Sequence, residues 1–142
     1  MMNTLIIDLK ITNEARRPVA TLKEFLQLPE KNPAVFIDSH EDIENIKDFT
    51  PQIELIELNF PTFTDGRSYS SANILRHNFG YTSELRAVGD IRIDQLEQMV
   101  RCGFNAFHLN EDQNIELGLE KLQGFSFSYQ PAFNREPLFR QR

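Results

Sequence analysis

The chain has 142 residues, 40 % of them hydrophobic and 25 % charged, with a formal net charge of −6. That size fits a single domain spanning 1–142 with a genuine core. The acidic balance argues against general nucleic-acid binding, which needs a basic face. One cysteine, Cys102, excludes a disulfide framework, a CxxC pair and a cysteine-ligated iron–sulfur cluster within one chain. No apolar run reaches the ~20 residues of a membrane span, and the first residues lack the basic start of a signal peptide. A cytoplasmic protein is expected.

Residues 1–34 form a less regular segment. Leu5–Leu9 reads as an edge strand, Leu22, Phe25 and Leu26 as a short helix, and Pro29 and Pro33 bracket a loop. From Val35 onward, short strands alternate with short helices. Val35–Asp38 is a strand, after which Ser39 caps a helix that turns Ile43 and Ile46 inward. Ile53–Phe60 is the strongest strand candidate; Leu55, Glu57 and Asn59 share one face, and Ile56, Leu58 and Phe60 the other. Apolar residues on both faces predict a sheet covered on both sides.

A helix over 70–78 follows, with Ala72, Leu75 and Phe79 at helical spacing and Gly80 as its stop. Leu85–Gly89 is the next strand. Asp94 and Glu97 have the spacing of a capping box ahead of Leu96, Met99 and Val100. Gly103 ends that helix, and Phe104–Leu109 returns as a strand. A last helix carries Ile115, Leu119 and Leu122, stops at Gly124, and leads to a strand over Phe125–Tyr129. The tail 131–142, with Arg135, Arg140 and Arg142, reads as a mobile arm or a partner-binding segment. Successive strand–helix units imply right-handed crossovers and a small, mostly parallel α/β sheet. Its arrangement is open and doubly wound or, second, a partial barrel.

Parallel sheets build their sites on loops at the carboxyl ends of the strands. Thr64, Asp65, Gly66 and Arg67 follow one strand, Gly89 and Asp90 end the next, and Glu111 and Asp112 follow the third. Thr64, Asp65, Gly66, Arg67 and Asp90 are therefore the ligand-binding candidates. Asp65, Arg67 and Asp90 are the candidates for acid–base work or for holding a small anion. The structural alternative has even weight: Asp65-Gly66 is a turn, and an Asp–Arg pair pins two loops. Arg86, near the start of its strand, pairs with Glu84 or a neighbouring acid. Arg76 is a solvated or structural cation, and Cys102 a packed thiol. His40, His77 and His108 lack ligand spacing, so no metal is proposed; a hard cation at Asp65, Asp90 and Asp112 is a weak alternative. No glycine-rich phosphate loop occurs, so no cofactor is identifiable.

Phe60-Pro-Thr-Phe-Thr-Asp-Gly-Arg67 belongs to a wider set of segments. The others are Tyr69-Ser70, Leu75-Arg76, Gly80-Tyr81, Glu84-Leu-Arg-Ala-Val-Gly-Asp90, Asp94-Gln95 and Arg101-Cys-Gly-Phe104. Together they resemble a bacterial family of unknown function whose members are often labelled "oxidoreductase probably involved in sulfite reduction". Its genes neighbour those of assimilatory sulfite reductase. The resemblance is specific over residues 53–109. Asn73 stands where the family usually has Arg, and His108 where an acid is usual. The resemblance implies a cytoplasmic role in sulfur assimilation, with sulfite-reduction proteins as partners. A homodimer would cover an exposed sheet edge.

Overall fold

A computed structural model describes residues 2–15 and 17–125. The expected strand at Phe125–Tyr129, apart from its first residue, and the tail 131–142 lie outside them. Among the described residues seven strands form one sheet: β1 (Met2–Ile7), β2 (Lys10–Ala15), β3 (Ala20–Thr21), β4 (Ala34–Ile37), β5 (Leu55–Phe60), β6 (Glu84–Gly89) and β7 (Ala106–Phe107). Their spatial order is β2-β1-β7-β6-β5-β4-β3. β3 to β7 are parallel, and β1 is antiparallel to both β7 and β2. The sheet is thus mostly parallel but mixed, and among the described residues it does not close.

From β3 to β7 the order in space follows the order in the chain. Right-handed crossovers then lay every helix on the same face. Packing agrees. Val35, Ile37, Ile56, Leu58, Leu85, Ala87 and Phe107 share one cluster with residues from four helices. These are α1 (Leu22–Gln27), α2 (Arg67–Asn73), α3 (Leu96–Cys102) and α4 (Ile115–Gln123), joined by a 3₁₀ segment over Ile43–Gln52. From β3 to β7 the order never reverses, whereas a doubly wound sheet reverses it at a switch point.

The N-terminal segment is more regular than its sequence suggests. β1 is an interior strand rather than an edge, because β2 folds back beside it as a hairpin. The hairpin turns through Asp8 and Leu9, both at positive φ, 49° and 65°. Thr21 and Glu24 form the capping box of α1, whereas the expected box at Asp94 and Glu97 does not form. There the Gln95 carboxamide oxygen accepts the Arg92 amide, and α3 starts without a side-chain cap. Asp42, not Ser39, caps the 3₁₀ segment.

The chain passes from Ala15, ending β2 at one edge, to Ala20, beginning β3 at the other. Five residues span at most ~18 Å. Seven flat strands at a ~4.8 Å spacing would place those edges ~29 Å apart. The sheet must therefore curl, with its helix-free face on the inside. A cavity of about 590 Å³ lies there, lined by Glu14 of β2 and Thr21 of β3 together, and Arg17, Pro18 and Val19 cross its open side.

Arg76 fastens the helical layer to the bottom of the sheet. It lies in a π turn (Ile74–Asn78) that extends α2, and it is 2 % exposed. Its Nε donates to Gly103 O at 2.9 Å, Nη1 to Tyr81 O and Ser83 O at 2.8 Å each, and Nη2 to Asn105 Oδ1 at 3.2 Å. A solvated Arg76 is thus excluded. Gly103, at φ 114°, makes room for it: a Cβ there would lie 2.4 Å from Arg76 Cγ. Replacing Arg76 with Ala orphans three carbonyls at two strand starts, leaves Asn105 Oδ1 with only the Leu85 amide of these donors, and should cost about 3 kcal/mol or more. Lys, a point donor in place of a planar fork, should restore little. Urea unfolding of both variants checks this, read as a lower midpoint at unchanged slope.

Candidate functional site

The carboxyl ends of β4, β5, β6 and β7 carry Asp38, residues 61–67, Asp90 and residues 108–112 onto one rim. Parallel register places Ile37 beside Leu58 and Phe60 beside Gly89. All the predicted site residues lie on this rim, in two groups. Among the described residues no hydrogen bond joins Asp65 or Arg67 to Asp90.

The first group links β4 to β5. Arg67 Nε donates to Asp65 Oδ1 at 3.0 Å and Nη2 to Asp65 Oδ2 at 2.6 Å. The Arg67 amide also reaches Asp65 Oδ1, at 3.1 Å. Ser39 Oγ accepts from Arg67 Nη2 and donates to Asp65 Oδ2, closing a triangle across two loops. The Arg67 guanidinium and amide hold the Asp65 carboxyl far below the usual carboxylate range, and Asp65 raises Arg67 in turn. Beside them, Asn59 Nδ2 donates to Asp38 Oδ1 at 3.0 Å, which helps to keep the Asp38 carboxyl low. Gly66 is the residue before α2, and the Thr64 hydroxyl meets that of Thr62 at 3.1 Å.

The second group centres on Asp90. Its carboxylate accepts from the Phe63 amide at 3.0 Å, from Asn110 Nδ2, and from Arg92 Nε at 3.3 Å. Gln95 Nε2 donates to Phe63 O. Both peptide groups of Phe63 are thereby fixed by other loops. Its ring is nevertheless 49 % exposed, with the Arg92 guanidinium 4.7 Å from its centre. Gly89 sets this geometry: at φ 100° it lies so close to the end of β5 that a Cβ would come within 2.4 Å of Phe60 O. Glu111 and Asp112 are exposed and line a separate rim hollow with Gly89, His108 and Asn110. Among the described residues no three His, Cys, Asp or Glu side chains gather as a metal-holding group.

Sequence reasoning missed the inside of the curl. Arg86, its side chain 4 % exposed, meets three carboxylates: Glu84 from Nε at 2.8 Å, Glu14 from Nη2 at 2.9 Å, and Glu57 near Nη1 at 3.5 Å. Pairing with Glu84 is as expected; Glu14, 72 positions away, is reached through the curl. Burial raises the Glu84 carboxyl despite Arg86, while burial opposes the Arg86 charge and the carboxylates more than restore it. The signal was present in the alternation of Glu57 with Asn59 on β5 and Arg86 with Val88 on β6, all inward-facing.

Asp65 sets a direction for acid titration. Its folded value is depressed, so the stability it contributes is present above the unfolded value, ~3.9, and is lost as pH falls through the folded one. The gap in melting temperature between wild type and Asp65→Asn should be steady from neutral pH to about pH 5. It should shrink below about pH 4. Thermal melts across that range read it, and a gap that widens in acid would contradict the assignment.

No curated protein and no solved structure matches the chain. No helix among the described residues is long and apolar enough to cross a membrane. A family model, described as a bacterial protein of unknown function (DUF934), matches residues 34–139, from the start of β4 onward. The chain belongs to this DUF934 family.

Proposed function

We propose that the protein is an accessory factor of assimilatory sulfite reduction that docks onto a protein of that process through its carboxyl-end rim. The link to sulfite reduction rests on the resemblance carried by Phe60–Arg67 and the segments around it. The docking mode rests on Phe63. An aromatic ring left half in solvent, on a backbone held at both its N–H and its C=O, is an anchor that loses little entropy on binding. Asp90 and Gln95 do the holding, and Arg92 stacks beside the ring. In this reading the role of Asp65, Gly66 and Arg67 is to brace the loop that presents it.

The alternative is a small enzyme, an oxidoreductase by label, or an anion-binding protein using Asp65, Arg67 and Asp90. An anion would have to take Arg67 from a carboxylate that already accepts both prongs of its fork. Asp90 likewise already accepts three donors. Saturation of both carboxylates therefore favours docking.

Affinity capture with the full chain, from cells growing on sulfate, should recover a sulfite-reduction component. Phe63→Ser should abolish recovery while leaving the melting temperature within ~2 °C, since the ring is not core. Recovery of no such component, or equal recovery by Phe63→Ser, would reject the proposal. A deletion strain should grow poorly on sulfate and sulfite but normally on sulfide.

A further inference from the structure

Inward side chains of β4, β5 and β6 stand in two layers inside the curl. Register sets Phe36, Glu57 and Arg86 side by side in the lower one, and Asn59 beside Val88 in the upper one, toward the carboxyl rim. The lower layer is ionic: Arg86 bonds Glu14 at 2.9 Å and lies 3.5 Å from Glu57. It forms the floor of a cavity of about 590 Å³, within the range of small-molecule sites. Gly89 and His108 line both this cavity and the rim hollow of about 420 Å³. The upper layer therefore opens where parallel sheets place their ligands.

We propose that the upper layer binds a small neutral heterocycle with an amide-type N–H beside a C=O, the edge of a nucleobase. This is independent of the docking reading, which concerns the outer rim. Asn59 carries the argument. Its Nδ2 donates to Asp38 Oδ1 at 3.0 Å, and that bond is the chief cause holding the Asp38 carboxyl below its ordinary value. An ionised carboxylate only accepts, so it fixes which way the Asn59 amide faces. Asn59 Oδ1 is thereby turned toward Gly89, where a Cβ would lie 2.5 Å from it. Among the described residues no donor reaches Asn59 Oδ1. It is an acceptor oriented in advance at the cavity mouth, and it selects an N–H or O–H donor. Asn3 of β1 adds a second carboxamide to the lining, without a side-chain partner among the described residues, and can donate to a carbonyl.

Charge balance selects a neutral ligand. The charged lining sets Glu14 and Glu57 against Arg17 and Arg86. Arg86 is engaged with both acids, and Arg17 with Glu54 at 3.3 Å. An anion would have to draw a guanidinium from its carboxylate, and a cation a carboxylate from its guanidinium. For the buried Arg86 that disruption is costly. A neutral molecule leaves the pairs intact. Phe36 and Val88 give the flat body of a base an apolar wall, with the Phe36 ring suited to offset stacking.

Titration of the isotope-labelled full chain with uridine and with inosine tests this by amide NMR. At least one nucleoside should give saturable shifts at Phe36, Val88 and Gly89. Asn59→Ala removes the acceptor and should weaken that binding about fivefold or more. Val88→Phe keeps Asn59 but fills the upper layer, and should abolish the saturable shifts; it serves if Asn59→Ala fails to fold. Glu97→Gln, on the outer surface of α3, should bind as wild type does. Absence of saturation by both nucleosides, unchanged affinity in the folded variant, or the same shifts produced by sodium sulfate or putrescine would overturn the proposal.

Discussion

The short passage from β2 to β3 is the constraint on which the rest depends. A hairpin added at one edge of a parallel sheet would ordinarily leave two distant edges. Here the chain must go directly from one edge to the other, and five residues cannot cross a flat sheet of seven strands. The curl that results makes the two faces unequal. The outer face takes all the helices and most of the large aliphatic residues. The inner face can keep charges, because it meets a cavity instead of a second layer.

Two buried arginines show how that asymmetry is used. Arg76, on the helical side, directs its fork to backbone carbonyls and to Asn105 Oδ1, joining α2 to the starts of β6 and β7. Those groups are neutral, and the three carbonyls among them would otherwise be orphaned at strand starts, while Asn105 Oδ1 also accepts the Leu85 amide. Arg86, on the inner side, directs its fork to acids from β2, β5 and β6. It therefore joins strands that are not all neighbours and stabilises the curl across the cavity. The first arrangement is closed. The second joins charges of opposite sign drawn from three strands.

The strand–helix units from β4 to α4 were legible in the sequence because glycines at 80, 103 and 124 follow apolar residues at helical spacing. The hairpin was not, because its turn is Asp8-Leu9. Asp adopts the left-handed region fairly readily, but Leu seldom does, so no Gly or Asn marks the reversal. β3 has only two residues and no periodicity to detect. The inner face was visible as residues and misread as geometry. Leu55, Glu57 and Asn59 on one side of β5 suggested a second covering layer, whereas a mixed polar face suits a cavity wall equally well. Only strand order separates these readings, and one strand's alternation does not carry that information.

The rim residues Asp65, Arg67 and Asp90 stood out because carboxylates and a guanidinium at the carboxyl ends of parallel strands are the usual materials of a site. Their contacts show a different economy. Asp65 and Arg67 satisfy each other and Ser39, and Asp90 is filled by a backbone amide, an amide side chain and a guanidinium. Groups so occupied are poor reagents and good struts. What they support is an exposed aromatic ring that the same motif contains. Inside the curl Arg86 gathers Glu14, Glu57 and Glu84 around its guanidinium. The Phe60–Arg67 segment thus shapes the surface of the molecule, and the ionic cluster of Glu14, Glu57, Glu84 and Arg86 lies beneath, across the curl.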